Sequence, residues 1–161
     1  IGLPGDRIQM RGGQLFLNGQ AIARNRKADL VVAASPNTRC FAPIFEPIDQ
    51  TGNISCHYPR YQESLPGGRR YDVLDLMDSE ADTTDVYTVP QGHVFMMGDN
   101  RDNSTDSRIS PELGGVGFVP FVNLVGRAEI IFFSVKKDES PLTFWRWPWS
   151  VRWNRLFKSA H

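Results

Sequence analysis

Cysteine, histidine and long apolar runs are scarce in this sequence. Among 161 residues there are two cysteines and three histidines, which excludes a dense disulfide framework. The longest mainly apolar stretch, residues 128–135, is far shorter than the roughly 20 residues that a membrane-spanning helix needs. The sequence also lacks an excess of basic residues, with 18 basic against 18 acidic side chains, and we therefore expect no nucleic-acid partner.

The balanced total charge conceals two opposite regions. Residues 72–106 contain nine of the 18 acidic residues and a single basic one, Arg101. Residues 140–161 contain no acidic residue, four cationic residues and all four tryptophans, which are Trp145, Trp147, Trp149 and Trp153. Tryptophans beside cations are typical of segments at a membrane interface, although the same rings could cover a β core. We expect these tryptophans to contact an anionic membrane surface.

Short strand patterns predict a mainly β, antiparallel fold. The clearest is residues 15–22, where two apolar runs flank Asn18-Gly19 and predict a hairpin with a two-residue turn. Further strands are predicted at residues 40–45, 71–76, 85–89, 93–97 and 126–135, and a helix at residues 150–158. Because residues 25–84 are rich in turn formers, we interpret them as a smaller inserted β/loop lobe. Residues 1–24 and 85–161 would then form the β core.

Two polar segments have the composition of functional loops. In the first, Gly2-Leu3-Pro4-Gly5-Asp6, two glycines and a proline predict a sharp turn before a strand. The second, residues 98–108, follows an apolar strand and is dense in Asp, Asn, Ser and Arg. Such side chains must satisfy one another wherever they are buried. We expect Asp106 and Arg108 to form a charge-assisted pair within this loop.

No metal or cofactor is expected from the remaining motifs. Asp102, Ser104 and Asp106 have the alternating spacing of a calcium loop, but the turn glycine and the closing glutamate of such loops are missing. Cys40, Cys56 and an adjacent histidine offer zinc three donors without a fourth. A disulfide between the two cysteines explains them better and would indicate an oxidising compartment. Two unpaired buried thiols remain the alternative.

The two polar segments, in this order, resemble the bacterial type I signal peptidases. The likeness continues through Gly117-Phe118-Val119-Pro120 and residues 123–128, so that it extends over essentially the whole chain. It implies a signal-peptidase-like β fold and a serine endopeptidase that cleaves signal peptides from exported preproteins with a Ser/Lys dyad. It also implies a protein of the bacterial inner membrane, with the catalytic domain on the periplasmic side.

The resemblance assigns supporting roles to residues of this chain. Ser104 would hydrogen-bond the lysine amine and orient it, and Asp106 and Arg108 would form a structural ion pair beneath the site. The other residues that match the family motifs would form their framework: Gly2, Pro4, Gly5, Asp6, Gly98, Asp99, Asn100, Arg101 and Asp102. The family's nucleophilic serine and its lysine lie upstream of the first motif, hence upstream of Ile1. We therefore expect this polypeptide alone to be inactive as a peptidase.

Two other classes of function fit parts of the sequence. One is a non-catalytic β module that binds an extended peptide by strand addition. The other is a module that binds the membrane surface and uses the polar loop only as a scaffold. Replacement of Ser104 by alanine in the full-length protein distinguishes a peptidase from these two modules. If the protein is a peptidase, the variant should stay folded and lose cleavage.

Overall fold

The structure is a computed structural model, which describes residues 1–34, 39–46, 52, 54–126, 129, 153 and 157. Within these residues the chain forms nine strands and five short 3₁₀ helices. The strands are β1 (Arg7–Arg11), β2 (Gln14–Leu17), β3 (Gln20–Ala21), β4 (Ala23–Ala33), β5 (Ser55–Ser64), β6 (Arg70–Leu74), β7 (Tyr87–Thr88), β8 (His93–Val94) and β9 (Val119–Pro120). The 3₁₀ helices are Pro43–Phe45, Glu80–Asp82, Arg101–Asn103, Pro111–Leu113 and Phe121–Asn123.

The strands form antiparallel sheets, which confirms the predicted mainly β fold. A four-stranded sheet has the order β3-β2-β1-β7, a three-stranded sheet has the order β4-β5-β6, and β8 pairs with β9. In the first sheet Ile8 of β1 lies opposite Leu17 of β2 and Tyr87 of β7. The neighbouring strands β1, β2 and β3 follow one another along the chain, so short turns are sufficient to connect them.

The hairpin predicted around Asn18-Gly19 is confirmed. Its strands are β2 and β3, with Phe16 opposite Ala21 and Leu17 opposite Gln20. Asn18 and Gly19 both have positive φ, 53° and 83°, which is the backbone conformation that a two-residue hairpin turn of this kind requires. The Asn18 side chain also accepts a hydrogen bond from the Arg7 backbone N–H at 2.8 Å, which ties the turn to β1.

A small hydrophobic core lies against the first sheet. Its buried members are Ile8, Met10, Leu15, Ile22, Val89 and Phe95. Phe95 is 1% exposed, and its ring centroid lies 4.9 Å from that of Tyr87 and 5.9 Å from that of Phe118. The alternating burial of Ile8 and Met10 along β1 matches the period of two that a half-buried strand requires.

The strand predicted at residues 40–45 is wrong, because Pro43–Phe45 is a 3₁₀ helix. Pro43 has no backbone N–H to donate to a β ladder and has a φ that suits a helical first turn. Phe45 is buried and Ile44 is exposed, so that a single ring anchors this turn. The strands predicted at residues 71–76, 85–89 and 93–97 are present in shortened form as β6, β7 and β8.

Two long strands, β4 and β5, were not predicted from the sequence. β4 has 11 residues and β5 has 10. No residue of β4 is buried. A strand without a buried face needs no alternation of apolar and polar positions, and the β4 sequence, ARNRKADLVVA, has none. The strand predicted at residues 126–135 and the helix predicted at 150–158 lie, apart from single positions, outside the described residues.

The chain divides into two compact units. One comprises residues 1–30 and 58–124, and the other comprises residues 31–57 and 125–161. The boundaries of the inserted lobe, residues 25–84, stay a prediction. Among the described residues no helix is both long enough and apolar enough to cross a membrane.

Candidate active-site loop and its supports

The turn at residues 2–6 is closed by the carboxylate of Asp6. This carboxylate accepts a hydrogen bond from the Leu3 backbone N–H at 2.9 Å, and the Asp6 N–H donates to the Leu3 carbonyl at 2.9 Å. Gly5 has a φ of 88°, a left-handed conformation that favours glycine. The Asn18 side chain donates to Asp6 at 2.9 Å, which fixes the turn to the β2–β3 hairpin.

Gly2 joins the turn to the strand that leads into the polar loop. Gly2 and Phe95 exchange two backbone hydrogen bonds, of 2.7 Å and 3.0 Å, in an antiparallel bridge. A Cβ atom on Gly2 would lie 3.0 Å from the Ile8 side chain and 3.2 Å from the Phe95 Cβ. Glycine therefore permits this close approach, and the two motifs that are far apart in the sequence become neighbours.

Ser104 lies directly on Gly98. A Cβ atom on Gly98 would lie 1.9 Å from the Ser104 Oγ and 2.5 Å from the Ser104 Cβ, so that no other residue fits at position 98 unless Ser104 moves. The Ser104 hydroxyl donates a hydrogen bond to the Asn100 carbonyl at 2.6 Å. Ser104 is half-buried. Its hydroxyl oxygen keeps its capacity to accept a further hydrogen bond.

Asp106 and Arg108 form a buried, bidentate ion pair. The guanidinium donates to both carboxylate oxygens at 2.9 Å, and the side chains are 9% and 2% exposed. The same carboxylate accepts the backbone N–H of Gly98 at 2.9 Å and that of Arg108 at 3.0 Å. Arg108 also donates to the Arg101 carbonyl at 2.5 Å. The pair thus holds both ends of the loop that carries Ser104.

Arg101 is anchored by Glu63, a residue that the sequence analysis did not single out. Arg101 donates to the Glu63 carboxylate at 2.6 Å, and both side chains are almost completely buried. Burial, with a smaller contribution from Glu63, raises the pKa of the Tyr71 hydroxyl. Glu63 lies on β5, 38 residues before Arg101, and because β5 itself was not predicted, nothing in the sequence pairs the two.

The remaining loop residues are held by the segment after β6. The Asp99 carbonyl accepts the Leu74 N–H at 2.8 Å, and Asn100 forms a parallel bridge with Leu74. The Asp102 carboxylate accepts the Leu76 N–H at 2.6 Å. Asp102 is therefore turned toward residues 75–77, and this arrangement does not place it in a common site with Ser104.

A cavity of about 490 Å³ lies where the turn and the polar loop meet. Its wall includes Ile1, Gly2, Phe95, Met97, Asp99 and Arg101. The lining is completed by Ile8, Leu15 and Leu17 of the first sheet and by Leu65, Arg69 and Tyr71. A concave, mainly apolar site with a few charged groups is the usual form of a binding pocket.

Cys40 and Cys56 are joined by a disulfide, with their Cα atoms 5.3 Å apart. Of the four tryptophans predicted to contact a membrane, the structure describes one. Trp153 exposes 63% of its surface, whereas Trp145, Trp147 and Trp149 lie outside the described residues.

The chain belongs to the signal peptidase family, peptidase S26, whose family model matches residues 1–133. Among curated proteins it is similar to the Signal peptidase I of Rickettsia prowazekii (strain Madrid E), at 31% identity over 100% of this chain and 58% of the relative. It is 30% identical to the Signal peptidase I of Rickettsia typhi (strain ATCC VR-144 / Wilmington), again over 100% and 58%. It is 32% identical to the Signal peptidase I of Rickettsia canadensis (strain McKiel), over 100% of this chain and 57% of the relative. The chain thus spans less than two thirds of these relatives.

Proposed function

We propose that this chain is the supporting part of a type I signal peptidase, a serine endopeptidase that removes signal peptides from exported preproteins. In the full-length protein a serine nucleophile and a lysine base would complete the site to which this chain contributes Ser104, Asp106 and Arg108. Membership of the peptidase S26 family supports this proposal. We further propose that the full-length protein acts at the bacterial inner membrane, with its catalytic domain on the periplasmic side. The four tryptophans between residues 145 and 153 would contact anionic lipid.

The Gly2–Phe95 bridge is the observation that carries the proposal. In an antiparallel register, each step toward the N-terminus from Gly2 corresponds to one step toward the C-terminus from Phe95. A lysine a few residues ahead of Gly2 would therefore lie beside Met97, Gly98 or Asp99. Ser104 packs on Gly98 at this point, so an upstream lysine would reach its hydroxyl.

The hydrogen bonding of Ser104 suits an orienting role. Because the hydroxyl proton is donated to the Asn100 carbonyl, the Ser104 oxygen faces an incoming amine as an acceptor. A neutral lysine amine would donate one N–H to this oxygen and direct its lone pair elsewhere, toward the nucleophilic serine. Ser104 is thus a positioning residue, which acts through the lysine.

A lysine base also needs a depressed pKa. The ordinary value is about 10.4, so that the amine is almost entirely protonated at neutral pH. Burial in apolar surroundings disfavours the charged form and lowers this value. The half-buried Met97 and the buried Phe95 flank the position that the register assigns to the lysine, and we propose that they contribute this desolvation.

The test is cleavage of an exported preprotein by the full-length protein. We expect cleavage after a small residue, and we expect it to be abolished when the lysine a few residues ahead of Gly2 is replaced by methionine. Lys27→Met is the matched control, because Lys27 is exposed on β4; this variant should cleave normally. Binding of the preprotein without cleavage would instead favour the non-catalytic peptide-binding module.

A further inference from the structure

Three aspartates from separate parts of the chain converge beside the polar loop. They are Asp75, which follows β6, Asp82 in the 3₁₀ helix Glu80–Asp82, and Asp102 in the loop's own 3₁₀ helix. One carboxylate oxygen from each lies within 4.8 Å of those from the other two. Asp82 is 5% exposed, and the other two are half-buried, so the cluster differs from acidic groups spread over a solvated surface.

Two oxygens of this cluster are buried and lack a hydrogen-bond partner among the described residues. They are Oδ1 of Asp82 and Oδ1 of Asp102. In both residues the other oxygen is already used: Asp82 Oδ2 accepts the Ser79 N–H at 2.7 Å, and Asp102 Oδ2 accepts the Leu76 N–H at 2.6 Å. A buried carboxylate oxygen without a donor loses its hydration with nothing in return.

The charge of the cluster is only partly compensated. Arg24 pairs with Asp75, and both side chains are 14% exposed. This guanidinium also donates to the Gly13 carbonyl at 2.9 Å and lies over the Tyr61 ring at 3.7 Å. Three carboxylates with one guanidinium leave two negative charges, which a single divalent cation would neutralise.

We propose that Asp75, Asp82 and Asp102 bind a hard divalent cation, Ca²⁺ in preference to Mg²⁺. The ligands are carboxylate oxygens, which hard cations prefer. Oxygens bound to Ca²⁺ at about 2.3–2.6 Å can stand up to about 5 Å apart, which accommodates the observed spread. Mg²⁺, at about 2.0–2.1 Å, would require a tighter group and would retain more water. This inference does not depend on the proposed peptidase activity.

Such a cation would brace the loop that carries Ser104. Asp102 belongs to the 3₁₀ helix Arg101–Asn103, and Ser104 follows directly. Asp75 and Asp82 belong to the segment that connects β6 with β7. The cation would therefore link the polar loop to a segment about 20 to 27 residues earlier in the sequence and would stabilise both.

Calcium titration of the full-length protein, freed of metal with a chelator, tests the site. We expect Ca²⁺ to raise the midpoint of thermal unfolding with a saturable response, at a Kd of about 10⁻⁴–10⁻³ M, as in other weak oxygen sites. Mg²⁺ should act at least about tenfold more weakly. An unchanged midpoint at about 10 mM Ca²⁺ would contradict the proposal.

Asparagine variants locate the binding. Asp82→Asn and Asp102→Asn should each weaken Ca²⁺ binding at least about tenfold, since each replaces a ligand of full charge while preserving the shape of the side chain. Asp85→Asn removes the same charge from an exposed residue and should bind Ca²⁺ normally. Equal responses of Asp82→Asn and Asp85→Asn would place the cation elsewhere and overturn the assignment.

A direct binding measurement covers the case in which a variant unfolds. Terbium, which substitutes for Ca²⁺, should luminesce on tyrosine excitation in the folded wild-type protein, and Ca²⁺ should displace it. Near-ultraviolet circular dichroism identifies folded variants. If Asp82→Asn is unfolded, Asp75→Asn is measured in its place. Wild-type protein without a terbium signal that Ca²⁺ displaces would refute the site.

Discussion

Ser104 and Gly98 depend on each other at the scale of single residues. The hydroxyl of Ser104 occupies the volume where any side chain at position 98 would begin. Sequence motifs identified both residues but not this contact. A glycine in a polar loop is usually explained by an unusual φ, whereas Gly98 is needed for space. The sequence could not reveal this, because it depends on how the loop folds back over six residues.

Gly98→Ala should impair catalysis by displacing Ser104. The new methyl group would collide with the Ser104 side chain, so we expect kcat for preprotein cleavage by the full-length protein to fall about as far as in Ser104→Ala. Because both changes act on one hydroxyl, the double variant should be little worse than either single variant. Gly67→Ala, which replaces an exposed glycine that has open space around it and no positive φ, controls for the methyl group. Additive losses in the double variant would argue against this mechanism.

At the scale of structural elements, buried ion pairs hold the polar loop to its surroundings. Asp106–Arg108 ties the two ends of the loop, and Glu63–Arg101 ties the loop to β5. The first pair was predictable, since its members are two residues apart. The second was not, because it joins residues 38 positions apart and because Glu63 lies on β5, a strand that was not predicted. Long-range pairs of this kind emerge only from the sheet topology.

Asp106→Asn should destabilise the protein by about 3–5 kcal/mol, since it leaves the buried Arg108 guanidinium without its counter-charge. The measurement is the free energy of unfolding in denaturant. The control is Asp72→Asn, which breaks the more exposed pair with Arg60 and should cost about 1 kcal/mol or less. If the two variants lost the same free energy of unfolding, burial of the Asp106–Arg108 pair would not make its loss more costly than the loss of an exposed pair.

The disulfide should stabilise the folded state by restricting the unfolded chain. It closes a loop with a sequence separation of 16, for which the chain-entropy model gives about 3 kcal/mol. We expect the Cys40→Ser, Cys56→Ser double variant to lose about this free energy of unfolding. A reducing agent should lower the stability of the wild type to the same extent and leave the variant unaffected. A wild type insensitive to reduction would contradict this account.

At the scale of the whole molecule, the sequence predicted the class of fold and the family but not the complete sheet. Motif residues at 2–6 and 98–108 and the Asn18-Gly19 hairpin were sufficient for this. Strand β4 was missed because no residue of it is buried, and the strand predicted at 40–45 was wrong because of Pro43. Burial patterns reveal strands only where one face packs against a core.

The tryptophan-rich segment, residues 140–161, predicts binding to anionic membranes. At low salt, vesicles that contain anionic lipid should retain this 161-residue chain, because cations attract the headgroups while the rings enter the interface. Replacing the four tryptophans, Trp145, Trp147, Trp149 and Trp153, with alanine should release it. Vesicles of zwitterionic lipid alone should retain it poorly. Failure of anionic vesicles to bind the chain would refute the membrane contact.

The measurement that tests the central claim most directly is the rate of preprotein cleavage by full-length Ser104→Ala. If Ser104 positions an upstream lysine, kcat should fall by about 10²-fold or more, with KM little changed and the protein still folded. Ser110→Ala, at an exposed serine in the following turn, should cleave at the wild-type rate. Folded Ser104→Ala protein that cleaves as fast as the wild type would contradict the account.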